Sequence, residues 1–276
     1  MNKPIALAID FKEFTSIIIE SGVFLAQNVY TESKIVLFHA IEYFFTPPVY
    51  LLPYLNKEKE NIYKELEKLT KLFKEKNFSV EIHVLLGNFW EVLENFISRL
   101  KPEVLVLGYK SHIFKVPTAE KMLEKLKCNF LVVKKKPLQK IKNILCAIDF
   151  SEFSPISLKK AFFLTEKLKC NLNILNIVPP LGIQNSKLQE KYLENTKKEI
   201  EKSWHSLLQE IKIPFVPFNF YIRFGDRLEE IDKFIKETQT DLLIIGKRGK
   251  ELKEGLGFLT KEILYSINIP IFIVEN

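Results

Sequence analysis

Short, almost wholly apolar runs alternate along this chain with longer segments in which apolar residues recur every three to four positions. In the C-terminal half, Ile144 to Ile148, Leu172 to Val178, Phe215 to Arg223, Leu242 to Ile245 and Ile271 to Val274 read as strands. Helices are predicted between them. The first runs to Leu168, with Ser154 as N-cap and Pro155 at the first helical position. The others span Lys187 to Ile211, Leu228 to Thr238 and Thr260 to Ser266. Nearly continuous apolar strands separated by helices predict a parallel sheet covered on both faces. The N-terminal half follows the same order.

The halves are copies. Ala8-Ile9-Asp10-Phe11-Lys12-Glu13-Phe14 returns as Ala147-Ile148-Asp149-Phe150-Ser151-Glu152-Phe153, at an offset of 139. Val106-Leu107-Gly108 pairs with Ile244-Ile245-Gly246, Gly87 with Gly225, and Phe130 to Val133 with Ile271 to Val274, all within three residues of one spacing. The period is too long for a solenoid. The expected architecture is therefore α/β: two tandem doubly wound parallel-sheet domains of Rossmann-like type, 1–137 and 138–276. The basic, proline-broken stretch Lys134-Lys135-Lys136-Pro137 is the joint.

Composition narrows the function classes. With 276 residues and 47% hydrophobic content, each half can bury a core without a disulfide or metal staple. Cys128, Cys146 and Cys170 form no C-x-x-C pair, which argues against a zinc cluster, and Cys146 reads as a small core residue. The net charge of +7 favours anionic partners but names none, and no basic stripe with aromatic spacing points to nucleic acid. No apolar run is long enough to span a membrane, and Met1-Asn2-Lys3-Pro4 reads as no signal peptide, so a cytoplasmic protein is expected.

In open parallel sheets, ligands bind beyond the carboxyl ends of the strands where strand order reverses. Three segments of the second copy are expected to meet there: Ala147 to Ser151, Ile177 to Pro180, and the loop from Gly246 to Thr260. That loop holds four of the chain's nine glycines, with Lys247, Arg248 and Lys250 adding positive charge. Glycine lets backbone N–H groups approach an anion, and Thr260 at a helix start adds amides and a hydroxyl. A flexible surface turn is the plainer reading of the same residues. No G-x-G-x-x-G follows either first strand and no G-x-x-x-x-G-K-[ST] occurs, which argues against dinucleotide and P-loop chemistry. His39, His83, His112 and His205 lack metal-ligand spacing and have no nucleophile-elbow serine nearby.

Over essentially its whole length the chain resembles the universal stress protein (UspA-like) family in its tandem form. The family's nucleotide motif is G-x2-G-x9-G-[ST]. Gly246-x2-Gly249 fits it, nine residues separate Gly249 from Leu259, and Thr260 takes the [ST] position; Leu259 stands where the motif has glycine. The resemblance implies an adenine-nucleotide alpha hydrolase-like fold binding ATP, with magnesium as a companion ion. Adenine would be held near Ala147, Asp149 and Val178, and ribose and phosphates along Gly246, Lys247, Arg248, Gly249, Leu259 and Thr260. Leucine at 259 is expected to strain a backbone that wraps phosphate, with Gly255 and Gly257 relieving it by letting the loop shift.

The first copy departs further. Gly108-Tyr109-Lys110-Ser111 keeps one glycine, its loop is three residues shorter, and Thr118-Ala119 falls where Leu259-Thr260 does. Its nucleotide loop is expected to be degenerate. Phe44 to Leu55 is strongly apolar and too proline-rich for a regular helix. It is expected either to pack back over that degraded site or to form a docking patch. The charged helices 57–76 and 187–211 read as solvated faces. Two functions remain open: a stress-response regulatory module binding one ATP in the C-terminal copy, or a nucleotide-free scaffold acting through dimerisation and protein partners. In family dimers the last strands pair, so Phe130 to Val133 and Ile271 to Val274 are expected to make a pseudo-dimer within the chain, with a homodimer also open. No general base or nucleophile is placed beyond Asp149, so no catalysis is expected beyond slow ATP hydrolysis.

Overall fold

A computed structural model describes residues 2–43, 49–110, 117–180, 186–211, 216–249 and 255–275. The chain forms two compact units, one spanning Met1–Gln139 and the other Lys140–Val274. The first contains β1 (Ile5–Ala8), α1 (Thr15–Asn28), β2 (Ile35–Glu42), a 3-10 turn (Val49–Leu51), α2 (Leu52–Lys74), β3 (Val80–Gly87), α3 (Phe89–Leu100), β4 (Val104–Gly108), α4 (Thr118–Lys125) and β5 (Phe130–Val133). The second contains β6 (Asn143–Ile148), α5 (Ser154–Leu168), β7 (Asn171–Val178), α6 (Ser186–Ile211), β8 (Phe218–Phe224), α7 (Arg227–Thr238), β9 (Leu242–Gly246), α8 (Phe258–Ser266) and β10 (Ile271–Val274).

Every strand pairing within each unit is parallel. The order is β3-β2-β1-β4-β5 in the first and β8-β7-β6-β9-β10 in the second. The chain steps outward from β6 to β7 and β8, then returns to lay β9 on the other side of β6. The carboxyl ends of β6 and β9 therefore diverge from a common point, as do those of β1 and β4, and each divergence opens a crevice.

Burial differs between the two ends of each strand order. β5 and β10 are buried at every residue, and β4 and β9 at all but the closing glycine. At the other end, β3 and β8 are only part-buried. Since a fully buried aliphatic side chain contributes roughly 1.5–3 kcal/mol, the fully buried strands contribute most to each unit's core.

Local punctuation is duplicated with the fold. Gly87 and Gly225 close β3 and β8 at φ 147° and 153°, where a side chain would be strained. The next residues, Asn88 and Asp226, cap α3 and α7 by accepting the N–H groups of Glu91 and Glu229 at 3.3 and 3.0 Å. The same two helices end on left-handed Lys101 and Gln239.

Three sequence expectations need correction. Phe153, not Ser154, precedes α5, and Ser154 is its first residue; the serine hydroxyl donates to the Asp149 carboxylate instead of accepting a helix amide. Helix α8 begins at Phe258 rather than Thr260, because Gly257 breaks the loop two residues earlier and Lys261 N–H already bonds to its carbonyl. In the stretch from Phe44 to Leu55, residues 44–48 lie outside the described residues. From Leu52 onward the chain is helical, since Pro53 falls in the first turn of α2 where no N–H is needed. Val49 is 81% exposed, and Tyr50 and Tyr54 are also on the surface, so this described part does not pack back over the first unit.

Candidate functional site

The second unit carries a cleft of about 560 Å³ at the carboxyl ends of its strands. One wall begins with a turn after β6. Asp149 Oδ1 accepts the N–H of Ser151 at 2.9 Å and the hydroxyl of Ser154 at 3.1 Å. An aspartate side chain bonded to the backbone two residues on tightens the turn and drives the residue between into the left-handed region. Phe150 sits there at φ 56°, an uncommon conformation for a bulky residue. The Ser154 hydroxyl that could have capped α5 is thus spent on orienting a carboxylate.

The opposite wall is the loop after β9 and the start of α8. Lys247 N–H bonds to Val274 carbonyl at 2.9 Å, and Lys247 carbonyl accepts Gly257 N–H at 3.0 Å, so both ends of the loop are tied together. Residues 250–254, Lys250 among them, lie outside the described residues. A Cβ on Gly249 would stand 2.7 Å from Asp149 Oδ2, so glycine there is what lets the two walls approach. A Cβ on Gly257 would come within 3.3 Å of Lys247 carbonyl and 3.4 Å of Thr260 Oγ1.

Because α8 starts at Phe258, Leu259 occupies its first turn in ordinary helical geometry. The expected strain at this leucine is absent: its φ is negative and its side chain needs no room inside a phosphate-wrapping loop. The N–H groups of Phe258, Leu259 and Thr260 find no acceptor among the described residues, and all three residues line the cleft. Such a helix start presents partial positive charge to an anion. Thr260 is buried, and its hydroxyl donates to Gly246 carbonyl at 3.2 Å, which fixes α8 against the end of β9.

Of the residues singled out by sequence, Ala147, Asp149, Gly246, Arg248, Gly249, Leu259 and Thr260 line this cleft. Two do not. Val178 is buried at the end of β7, where its carbonyl accepts the Gly225 N–H at 3.0 Å, and its neighbours Ile177, Pro179 and Pro180 line the cleft instead. Lys247 is only 2% exposed, its backbone tied into the sheet end, and it does not contribute a lining side chain. The Arg248 guanidinium lies 5.8 Å over the Phe153 ring. Apolar surface comes from Ala147, Leu175, Ile177, Ile231, Ile245 and Ile263.

Sequence reasoning missed Ser154 and Ser157 as lining residues, along with Asp226, Arg227 and Glu262. The two serines could have been found. They stand three apart among the mostly apolar buried residues of α5, a placement that packing alone does not require. Among the described residues there is no cluster of three His, Cys, Asp or Glu side chains able to hold a metal ion, and no helix long and apolar enough to cross a membrane. Cys146 is fully buried, and burial pushes its thiol up to about 12, so it is inert at neutral pH.

The corresponding place in the first unit is built differently. Asp10 Oδ1 again accepts an N–H two residues on, from Lys12 at 3.0 Å, and Phe11 is again left-handed at φ 57°. Beyond that turn the likeness stops. Phe14 packs so closely on Gly108 that a Cβ there would lie 2.4 Å from it. Lys110 Nζ pairs with Glu13 at 3.0 Å across the surface. Counted from its N-cap Pro117, the third residue of α4 is Glu120, so Ala119-Glu120, rather than Thr118-Ala119, take the places of Leu259-Thr260. Glu120 is 4% exposed and Thr260 5%, so a buried acid replaces a buried hydroxyl.

A family model described as the universal stress protein family matches residues 1–134 and again residues 140–275. Among solved structures, a universal stress protein from Archaeoglobus fulgidus DSM 4304 aligns with a TM-score of 0.73 at 15% identity, covering 98% of each chain. A functionally unknown protein from Pseudomonas aeruginosa PAO1 aligns at 0.70 and 13% identity, over 99% of this chain and 92% of its own. The cytoplasmic domain of a prokaryotic cation chloride cotransporter aligns at 0.57 and 13% identity, over 100% of this chain and 96% of its own. At these identities the likeness is one of fold. No curated protein sequence matches the chain.

Proposed function

We propose that this chain, which belongs to the universal stress protein family through both of its halves, is a regulatory module that holds one adenine nucleotide, ATP, in the cleft of its second unit. The observation that carries this reading is the meeting, in one cleft, of an oriented carboxylate, a glycine-spaced loop and three helix-start amides without acceptors among the described residues. Its volume lies within the roughly 300–1,000 Å³ common for small-molecule sites. Phosphate oxygens suit the amides of Phe258, Leu259 and Thr260, with Arg248 adding charge; a sugar hydroxyl suits Asp149; a purine face suits the apolar walls.

Magnesium would arrive with the phosphates, since a small hard cation needs few protein ligands when phosphate supplies the rest. Asp149 already accepts two hydrogen bonds, which fix its orientation and suit it to recognition. Binding without rapid turnover is the expected behaviour. Isothermal titration of the full chain with ATP and magnesium tests the proposal: one site per chain is expected. Absence of heat at millimolar nucleotide overturns it and leaves the nucleotide-free scaffold.

A further inference from the structure

We infer that Ser157 hydrogen-bonds the phosphate-free part of the ligand in the second unit's cleft, and thereby helps decide which nucleosides the cleft accepts; this rests on the nucleotide reading above. Ser157 is 1% exposed and lines the cleft, and its Oγ has no hydrogen-bond partner among the described residues. A buried hydroxyl left unpaired costs stability, and such groups in folded proteins are nearly always satisfied by something.

Three alternatives are answered by other residues. A helical serine usually bonds back to the carbonyl four residues earlier, as Ser21 does to Ile17 at 2.7 Å, yet Ser157 makes no such bond. Nor does packing demand a hydroxyl here, because the matching position of α1 is the buried Ile18. Ser154, one turn earlier on the same face, is already committed to Asp149.

The wall on which Ser157 stands also indicates which ligand atoms reach it. Asp149 and Ser154 belong to the same wall, and a carboxylate repels phosphate, so uncharged hydroxyls or ring nitrogens are the atoms that fit. A hydroxyl can donate or accept, so it serves either.

The test compares the full-length wild-type chain with Ser157→Ala. ATP is titrated calorimetrically, and adenosine is followed by displacement of a fluorescent ATP analogue. Both are expected to bind the variant roughly three- to tenfold more weakly. The ligand-free melting temperature is expected to hold or rise, because an uncompensated hydroxyl has been removed. Unchanged affinities, a loss confined to ATP, or adenosine that displaces nothing from the wild-type chain overturn the inference. A lowered ligand-free melting temperature also overturns it, by marking a structural role. Wild-type protein that binds no ATP at all overturns the nucleotide reading itself, a result distinct from a normal-binding variant.

Discussion

The two units share a scaffold and differ at one crevice. Both have the aspartate turn with its left-handed phenylalanine, the glycine before a capped third helix, and the same parallel strand order. Yet the first unit sets Phe14 against Gly108 and buries Glu120 near the start of α4, where the second has Gly249 beside Asp149 and buries Thr260. The features that repeat are those each sheet needs to fold. Those that diverge face the place where a ligand would sit. Duplication here separates what holds the chain together from what distinguishes one crevice from the other.

The sharpest way to break that contrast is to add bulk at a close-packed glycine in each crevice. Gly249→Val would drive a side chain into the Asp149 carboxylate and is expected to weaken ATP binding by more than about a hundredfold, read by titration calorimetry. Gly108→Ala meets an equally close neighbour in Phe14. It is expected to cost roughly 1–3 kcal/mol of stability in urea denaturation while leaving ATP titration unchanged. Exchanging the helix-start residues comes next. Thr260→Glu brings the first unit's acid to the second and is expected to reduce ATP affinity roughly ten- to a hundredfold by charge repulsion. Glu120→Thr is expected to leave the stoichiometry at one, because Phe14 still occupies its place.

Removing the paired aspartates separates recognition from turn formation. Asp149→Ala and Asp10→Ala should each cost about 1 kcal/mol of stability through loss of the shared turn bond. Only the former is expected to lower ATP affinity, by about tenfold. The smallest effect concerns pH. Burial pushes the Lys134 ammonium in the first unit down to about 8, while the corresponding residue of the second is Glu275. A cation with a lowered folded-state pKa destabilises the native state in full below pH 8, and the deficit shrinks as pH rises toward the unfolded value of 10.5. Stability is therefore expected to increase between pH 8 and 10, by an amount on the order of 1 kcal/mol. Lys134→Met should flatten that rise in denaturation curves taken across the window.

Much of the fold was legible because it rests on period and repetition. Apolar runs such as Leu242 to Ile245 can be nothing but buried strands in a duplicated α/β chain, and the Asp-Phe turn announces itself by recurring. Helix starts were less legible. Ser154 and Thr260 looked like capping residues, but their hydroxyls donate to Asp149 Oδ1 and the Gly246 carbonyl, acceptors that lie outside their own helices. The position of the helix start also hid the meaning of Leu259. As a loop residue it would obstruct, whereas in the first turn of α8 it sits in ordinary helical geometry. Lys247 differs in another way: a charge beside a glycine loop suggests a ligand, but this residue is buried and does not line the cleft.

One consequence of the Asp149 turn concerns timing. Ser151 and Ser154 hold the carboxylate's rotamer before any guest arrives, so the entropy of orienting it is spent during folding rather than at the moment of association. Loosening that brace at Ser154 should therefore appear as slower capture and a larger entropic cost, with the enthalpy of contact nearly unaltered.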